Sequence, residues 1–199
     1  MYRFLQLTSV MTLVIALSGC GFFAPPPRLY LLEPVIDERS QRTPTAVKDL
    51  GIAVVKLPEY ADNESISTRA ADGRVVQSTR SKWAESPDEA ITRVLANRIQ
   101  AFTGGNVIIE PWPRGFEPGA RAEVDFHKLL RDEEGGVEVS GQLRLISGDG
   151  DEVLAIENFQ LFRRSGGKKS EDFFDAMALV INDIARIVTS TLLAMEAPN

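Results

Sequence analysis

Apolar residues alternate with polar ones, or form short unbroken runs, in several segments of the chain, and this pattern predicts β-strands. Residues 50–57 are mostly apolar and β-branched and precede a proline, which favours a buried central strand. Residues 64–70 and 74–79 are predicted to form a hairpin, because the Asp-Gly pair between them is a strong turn signal. Residues 106–110 are predicted to form a short strand that ends at a proline. Residues 29–32 are compatible with a further short strand.

The alternation is longest in the second half of the chain. Apolar side chains alternate with polar ones through much of residues 121–130 and 137–145, and residues 153–162 form a third such run. The turn sequences Gly135-Gly136 and Gly148-Asp149-Gly150 separate the three segments. We therefore expect an antiparallel meander with one face directed inward.

Two segments have the period of an α-helix instead. Ser86, Pro87 and Glu89 predict an N-cap, a proline in the first turn and a capping box, and Gly104 predicts the end of that helix. Ser170 is predicted to cap a second, longer helix that closes the chain. The predicted apolar stripes comprise Ile91, Val94, Leu95, Ile99 and Phe102 in the first helix, and Phe173, Met177, Val180, Ile181, Ile184, Ile187, Val188 and Leu192 in the second.

The predicted order of elements is β-β-β-α-β-β-β-β-α, with residues 29–32 as an additional candidate strand. Amphipathic helices need a sheet against which to bury their apolar stripes. The order therefore predicts an α+β fold, with two packed helices on a mixed or mostly antiparallel sheet. The sequence shows neither an internal repeat nor a change in composition that would divide residues 29–199, so we expect a single domain there.

Residues 1–19 have the features of a secretory signal peptide. Arg3 supplies a positive start, and residues 4–17 are a mostly apolar run. A helix over that run spans roughly 21 Å, which is less than the roughly 30 Å of a bilayer's hydrocarbon core. A cleaved signal peptide fits this length better than a permanent membrane span.

The signal peptide ends in Leu17-Ser18-Gly19-Cys20, which resembles the bacterial lipobox. In that motif cleavage precedes the cysteine, whose thiol receives lipid, such as palmitate. We therefore predict cleavage between Gly19 and Cys20 and membrane anchoring through lipid on Cys20. An ordinary signal peptide followed by a free thiol is the alternative interpretation.

Residues 20–28 are predicted to link the lipid to the folded domain. Three consecutive prolines in this segment favour an extended polyproline helix, which acts as a semi-rigid spacer. The residue after Cys20 is Gly21, not the aspartate associated with retention of lipoproteins in the inner membrane. This predicts anchoring in the outer membrane, with the domain in the periplasm.

Composition and charge exclude several classes of function. The 199 residues carry a formal net charge of −6, so the chain lacks the basic field of a nucleic-acid-binding protein. One cysteine and one histidine leave little for a zinc site of nitrogen and sulfur ligands, and we predict no metal and no cofactor. The sequence contains no nucleophile elbow, phosphate-binding loop or zinc-protease motif, which predicts a protein that is not an enzyme.

Three groups of charged residues are candidate sites. His127 with Glu123 and Asp125 has the residue types of a general base or a weak metal site, but a solvated strand face is the simpler interpretation. Asp149 and Asp151 lack the ligand spacing of a calcium loop and fit a hairpin turn better. The basic residues Arg163, Arg164, Lys168 and Lys169 suit contact with anionic lipid or an acidic partner, and a solvated loop explains them equally well.

The most distinctive segment lies around the predicted hairpin. It comprises the residues Leu57-Pro58-Glu59-Tyr60-Ala61-Asp62-Asn63, then Ile66-Ser67-Thr68-Arg69, then Arg80-Ser81-Lys82-Trp83-Ala84-Glu85. Together with the lipobox and Leu29-Tyr30-Leu31-Leu32, this order resembles the ABC-type transport auxiliary lipoprotein family, the PqiC-like lipoproteins. The resemblance extends from the lipobox to the terminal helix.

The resemblance implies a non-enzymatic component of the cell envelope. Such lipoproteins work with MCE-domain proteins and ABC transporter components that move phospholipid or other hydrophobic molecules between the two membranes. On this basis we expect the protein to dock the lipid conduit at the outer membrane, and a homo-oligomer is compatible with that role. The candidate partner-binding residues are Tyr60, Arg69, Arg80, Trp83 and Glu85.

Two alternatives stay open from the sequence. Trp83 is equally compatible with packing under the first helix, with the two arginines paired inside the hairpin. The protein is also compatible with an envelope regulator or assembly lipoprotein, which activates a wall synthase or assists outer-membrane protein insertion. The anchor and the fold class would be similar in both functions.

The predicted anchor can be tested by one substitution. We expect Cys20→Ser to leave unprocessed precursor and to abolish lipid labelling, because the thiol is the acceptor. Metabolic labelling with a radioactive fatty acid, followed by membrane fractionation, measures both effects. Normal processing and membrane retention of the variant would contradict the prediction.

Overall fold

The computed structural model describes residues 25–35 and 42–196. The predicted signal peptide and the cleavage and lipidation site at Gly19 and Cys20 lie outside these residues. The described chain forms eight strands and two helices. The strands are β1 Arg28–Tyr30, β2 Asp49–Ile52, β3 Ser65–Arg69, β4 Val75–Trp83, β5 Asn106–Ile109, β6 Ala120–Arg131, β7 Val137–Ser147 and β8 Val153–Arg163, and the helices are α1 Pro87–Thr103 and α2 Ser170–Glu196.

This arrangement confirms the predicted α+β fold with two helices and a mixed sheet. The candidate strand near the start of the domain is present as β1, so four strands precede α1. The predicted hairpin is β3 and β4, and the predicted meander is β6, β7 and β8, which are paired antiparallel. Parallel pairs join β1 to β4, and β2 to both β5 and β6.

The sheet branches at β6. One edge of β6 pairs with β7 along nearly its whole length. The opposite edge is shared, because β2 pairs with its first residues, from Ala120 to Ala122, and β3 pairs with its last residue, Arg131. Two groups of strands therefore leave the same edge of β6, with β2 and β5 in one group and β3, β4 and β1 in the other.

The stretch of β6 between these two groups is paired by a loop. Lys56 forms a single parallel bridge to Asp125. Its backbone N–H donates to the Val124 carbonyl at 3.0 Å, and its carbonyl accepts the Phe126 N–H at 2.8 Å. The predicted strand at residues 50–57 is therefore regular only as far as Ile52. It is interrupted because the Val55 backbone N–H donates to Thr92 Oγ1 of α1 at 3.0 Å and not to a strand.

Both helices contribute to one hydrophobic core. The predicted stripe of α1 is buried, as are the residues of β6 and β7 that alternate toward the helices. The helix α2 contacts α1, β7 and β8. Among the described residues, Ser170–Met195 is also the one helix long and apolar enough to cross a membrane, but 67% of the apolar window is buried inside the fold, as in a core helix.

The helix ends differ from the prediction in two respects. Ser86 occupies the N-cap position of α1, but its hydroxyl bonds to the Asp88 carboxylate and makes no side-chain cap bond to the backbone. Ser170 is the first residue of α2 and not its cap, since its hydroxyl bonds to Ser81 Oγ at 2.8 Å. The carboxylate of Asp172 instead accepts the Lys169 backbone N–H at 3.0 Å, as in a capping box.

The other end of α1 is as predicted. Gly104 has a φ of 71°, in the left-handed region, and its N–H bonds to the Gln100 carbonyl. A Cβ at this position would meet only Arg42 Cδ at 3.7 Å, an ordinary contact. A side chain here would therefore be disfavoured by the backbone conformation alone.

These two helix ends lead to a paired prediction. We expect Gly104→Ala to lower the free energy of unfolding by about 1 kcal/mol, because a Cβ disfavours the left-handed conformation. Ser86→Ala should change it by less than about 0.5 kcal/mol, because no cap bond is lost. Urea unfolding of both variants measures the difference. A larger loss for Ser86→Ala than for Gly104→Ala would contradict this description of the helix ends.

Candidate functional site

The five candidate partner-binding residues do not form one cluster. Tyr60 lies in the loop before β3, Arg69 ends β3, and Arg80 and Trp83 lie on β4. Glu85 follows β4, just before α1. Because β3 and β4 are antiparallel, Arg69 pairs with Val75 at one end of the hairpin, while Trp83 lies at the other end.

Trp83 belongs to the core. Only 3% of it is exposed, and its ring makes edge contacts with Phe173 and Phe174, at centroid distances of 6.2 and 4.8 Å. The ring therefore packs against the start of α2. Its assignment as a contact aromatic is therefore corrected, because the buried indole has no surface to offer a partner in this conformation.

Tyr60 holds the loop that bridges β2 and β3. Its hydroxyl accepts the Leu129 backbone N–H of β6 at 3.2 Å, just beyond the β6 bulge. Its carbonyl accepts bonds from Asn63 Nδ2 at 2.9 Å, Ser67 Oγ at 2.6 Å and Gln77 Nε2 at 3.3 Å. The half-buried side chain thus completes the pairing of β6 where no strand reaches it.

The charged candidates differ in what they contact. Arg69 forms an ion pair with Glu138 of β7, so the expected pairing inside the hairpin is wrong for this residue. Glu85 forms an ion pair with Arg93 of α1, whose guanidinium also donates to the Leu32 carbonyl at 2.9 Å. Such partly exposed pairs contribute at most about 1 kcal/mol each to stability.

Arg80 is the candidate that remains available for contact. Its side chain is exposed and makes no hydrogen bond or ion pair with the residues that the structure describes. A shallow groove of about 250 Å³ lies at the end of the same strand. The groove is lined by Asn63, Glu64, Trp83, Ala84, Glu85, Ser86 and Pro87.

The other charged groups have structural explanations. His127 is exposed at the bulge of β6, and Glu123 and Asp125 both accept from Arg144 Nη2, at 2.7 and 2.9 Å. Hydrogen bonds from the Ser147 hydroxyl and the Asp151 amide lower the pKa of Asp149 and fit the predicted turn. Within residues 25–35 and 42–196, no group of three or more His, Cys, Asp or Glu side chains is placed to hold a metal ion.

Sequence reasoning missed an aromatic site on the outer face of the sheet. Trp112 lies flat over Gly51 of β2, where a Cβ would come within 2.6 Å of the indole ring. Phe116 packs on the ring edge at 6.3 Å, and the Arg121 guanidinium lies 4.8 Å from the ring centroid. The lone glycine in an apolar strand was a signal for this close approach.

Comparison with known proteins gives a family and a fold. The family model described as "ABC-type transport auxiliary lipoprotein component" matches residues 30–188. A crystal structure of an uncharacterized protein aligns with a TM-score of 0.67 at 14% identity, covering 83% of this chain and 98% of the other. Protein XCC0632 from Xanthomonas campestris aligns with a TM-score of 0.68 at 13% identity, covering 83% and 95%. No curated protein matches the chain.

The contrast between Trp83 and Arg80 is measurable. We expect Trp83→Ala to lower the free energy of unfolding by roughly 3–5 kcal/mol, because it removes a buried aromatic ring. Arg80→Ala should stay within about 0.5 kcal/mol of the parent protein, since the side chain is exposed. Denaturant titration followed by circular dichroism gives both values. Equal stability of the Trp83→Ala protein and the parent would show that the ring is not part of the core.

Proposed function

Because the chain belongs to the family of ABC-type transport auxiliary lipoprotein components, we propose that it serves an MCE/ABC-type system that moves lipid between the two envelope membranes. In this role it is a non-enzymatic periplasmic lipoprotein, anchored in the outer membrane, that docks the lipid conduit there. The observation that carries the proposal is the family match over residues 30–188, which includes nearly every described residue.

The anchor part of the proposal rests on the lipobox cysteine, Cys20, and on the Gly21 that follows it. Two or more acyl chains hold a protein firmly at a bilayer. A tethered domain is confined to a thin layer next to the membrane, which raises its effective concentration for a partner that reaches the same layer. Weak individual contacts are then sufficient for docking.

For the docking surface we propose the region around Arg80 and the groove at the start of α1. Arg80 offers an exposed cation without a described partner, and the groove beside it presents Glu64 and Glu85. Charged groups at the rim of an interface mainly set the partner and its orientation. Trp83 supports this surface from below, and Tyr60 and Arg69 hold the adjacent loop and hairpin to β6 and β7.

Affinity capture tests the proposal. We expect the tagged full-length lipoprotein, captured from solubilised envelopes, to retain an MCE-domain protein identified by mass spectrometry. Arg80→Ala should reduce the amount of that protein recovered, while the matched control Arg114→Ala, an exposed arginine in the loop before β6, should not.

One result would count against this function, and another would count against the docking surface. Recovery of a wall synthase or the outer-membrane insertion machinery, without an MCE-domain protein, would favour the alternative of a regulator or assembly lipoprotein. Full recovery of the MCE-domain protein with Arg80→Ala would retain the transport function and move the docking surface elsewhere.

A further inference from the structure

Three connections meet at one end of the sheet, which we call the tether end. They are the β3–β4 turn, the β6–β7 turn and the loop between β8 and α2. The strand β1 is parallel to β4 and therefore runs away from this end. Arg28 of β1 pairs with Ser81, whose hydroxyl bonds to Ser170 at the start of α2. The Ala71 backbone N–H donates to the Glu133 carboxylate at 2.5 Å, joining the two turns.

The chain that precedes β1 leads toward the tether end, because β1 runs away from it. Arg28 is the eighth residue after Cys20, so the chain between them reaches at most about 29 Å. The strands β6, β7 and β8 are 11 or 12 residues long, or roughly 36–40 Å. If Cys20 carries lipid, as the proposed function requires, the tether end is held closer to the bilayer than the β7–β8 turn at the opposite end.

A cavity opens at the tether end. Its volume is about 400 Å³, and its lining is Asp132, Glu134, Gly136, Phe162, Arg164 and Ser165. One wall comes from the β6–β7 turn and the other from the end of β8 and the loop after it. Phe162 is 53% exposed and places an apolar ring in the cavity wall.

The two walls are fixed to each other by the backbone. Gly135 has a φ of 95°, and a Cβ at this position would overlap the carbonyl oxygen of Gly167. The turn can therefore approach the loop this closely only with glycine at position 135. The Arg131 guanidinium bonds to the carbonyl oxygens of Lys168 and Lys169. Burial lowers the pKa of Arg131, while Asp132 and Asp172 oppose the shift. The cavity is therefore bounded by ordered contacts on both sides.

The lining separates charges of opposite sign. Asp132 Oδ1 accepts the Gly136 backbone N–H at 2.6 Å, which sets this carboxylate in the turn. Glu134 extends the negative wall and makes no side-chain hydrogen bond or ion pair with a described residue. Arg164 lies on the other wall, is exposed and likewise has no described side-chain partner. The hydroxyl of the next residue, Ser165, donates to the Gly167 carbonyl oxygen.

We propose that this cavity binds the headgroup of an ethanolamine phospholipid from the membrane that holds the anchor. The phosphate lies at Arg164, the ammonium lies at Glu134 and Asp132, and Phe162 contacts the apolar part of the lipid. A primary ammonium donates three hydrogen bonds, which the carboxylates accept. The proposal rests on the proposed function, because lipidation brings the cavity to the bilayer.

The same chemistry disfavours the other common headgroups. A choline ammonium has no N–H group and cannot donate to the carboxylates. A glycerol headgroup has no cation, so an anionic lipid leaves Glu134 unpaired beside a phosphate. The formal net charge of −6 adds long-range repulsion from an anionic surface. The basic residues Lys168 and Lys169 are therefore assigned to the rim of a zwitterionic site.

The first experiment measures headgroup binding without a membrane. Glycerophosphoethanolamine, glycerophosphocholine and inorganic phosphate are titrated into the detergent-solubilised full-length lipoprotein, and hydrogen exchange is followed in peptides from the two cavity walls. We expect glycerophosphoethanolamine to protect both walls at a concentration about tenfold lower than the other two probes. Equal protection by inorganic phosphate would reveal an anion site only and would overturn the proposal.

Variants locate the effect. Glu134→Gln keeps the size of the side chain, and Arg164→Gln replaces the guanidinium by a shorter neutral amide. Each should weaken glycerophosphoethanolamine binding about tenfold, since each removes a charged hydrogen-bond partner. Arg114→Gln, an exposed arginine near the opposite end, is the matched control and should bind as the parent does. Unchanged binding in both cavity variants would place the site elsewhere and would contradict the assignment.

The second experiment restores the membrane. In nanodiscs of phosphatidylcholine, we expect added phosphatidylethanolamine to protect both walls, and added phosphatidylglycerol to have no such effect. The β7–β8 turn should exchange equally in all discs. Protection by phosphatidylglycerol instead would overturn the zwitterionic assignment. Because neither experiment includes a transporter component, failure of the headgroup site is distinguishable from failure of partner capture.

Discussion

The architecture depends on the sharing of one strand edge. A strand offers one row of hydrogen-bonding groups on each edge, and buried backbone groups must be paired. β6 gives one edge to β7 and divides the other between β2 and β3. Lys56 and the Tyr60 hydroxyl fill the interval. This division sends two groups of strands in different directions. It allows one sheet to support both helices and to bring three connections together at the tether end.

The family motif around Trp83 is best understood through the core that this sheet creates. The tryptophan ring and two adjacent phenylalanines of α2, Phe173 and Phe174, form a buried aromatic cluster. Tyr30 of β1 stacks on Phe174 at 5.5 Å, so the cluster also holds β1. These residues therefore pack β1, the hairpin and the closing helix against one another.

Sequence periodicity was sufficient for the local elements but not for their assembly. Alternation and turn residues predicted the hairpin, the meander and both helices, because these depend on neighbouring residues. The sharing of β6 was not predictable, since the partners of Arg131 and Ala120 lie far away in the sequence. The site was predicted least well. The sequence around a hairpin tryptophan is the same whether the ring is buried or exposed. The cavity walls meet through contacts between residues distant in the sequence, such as Gly135 with Gly167 and Arg131 with Lys168.

The central claim is that the fold turns its tether end toward the membrane, and spin-label depth tests it most directly. The chain has a single cysteine, so after lipidation an added thiol at Ala71→Cys or Asp151→Cys is the only site for a nitroxide. In nanodiscs we predict that the label at residue 71, in the β3–β4 turn, collides with lipid-soluble oxygen at the headgroup level. The label at residue 151, in the β7–β8 turn, should collide only with a water-soluble nickel complex. Equal depth for the two labels, or a deeper label at residue 151, would contradict the account.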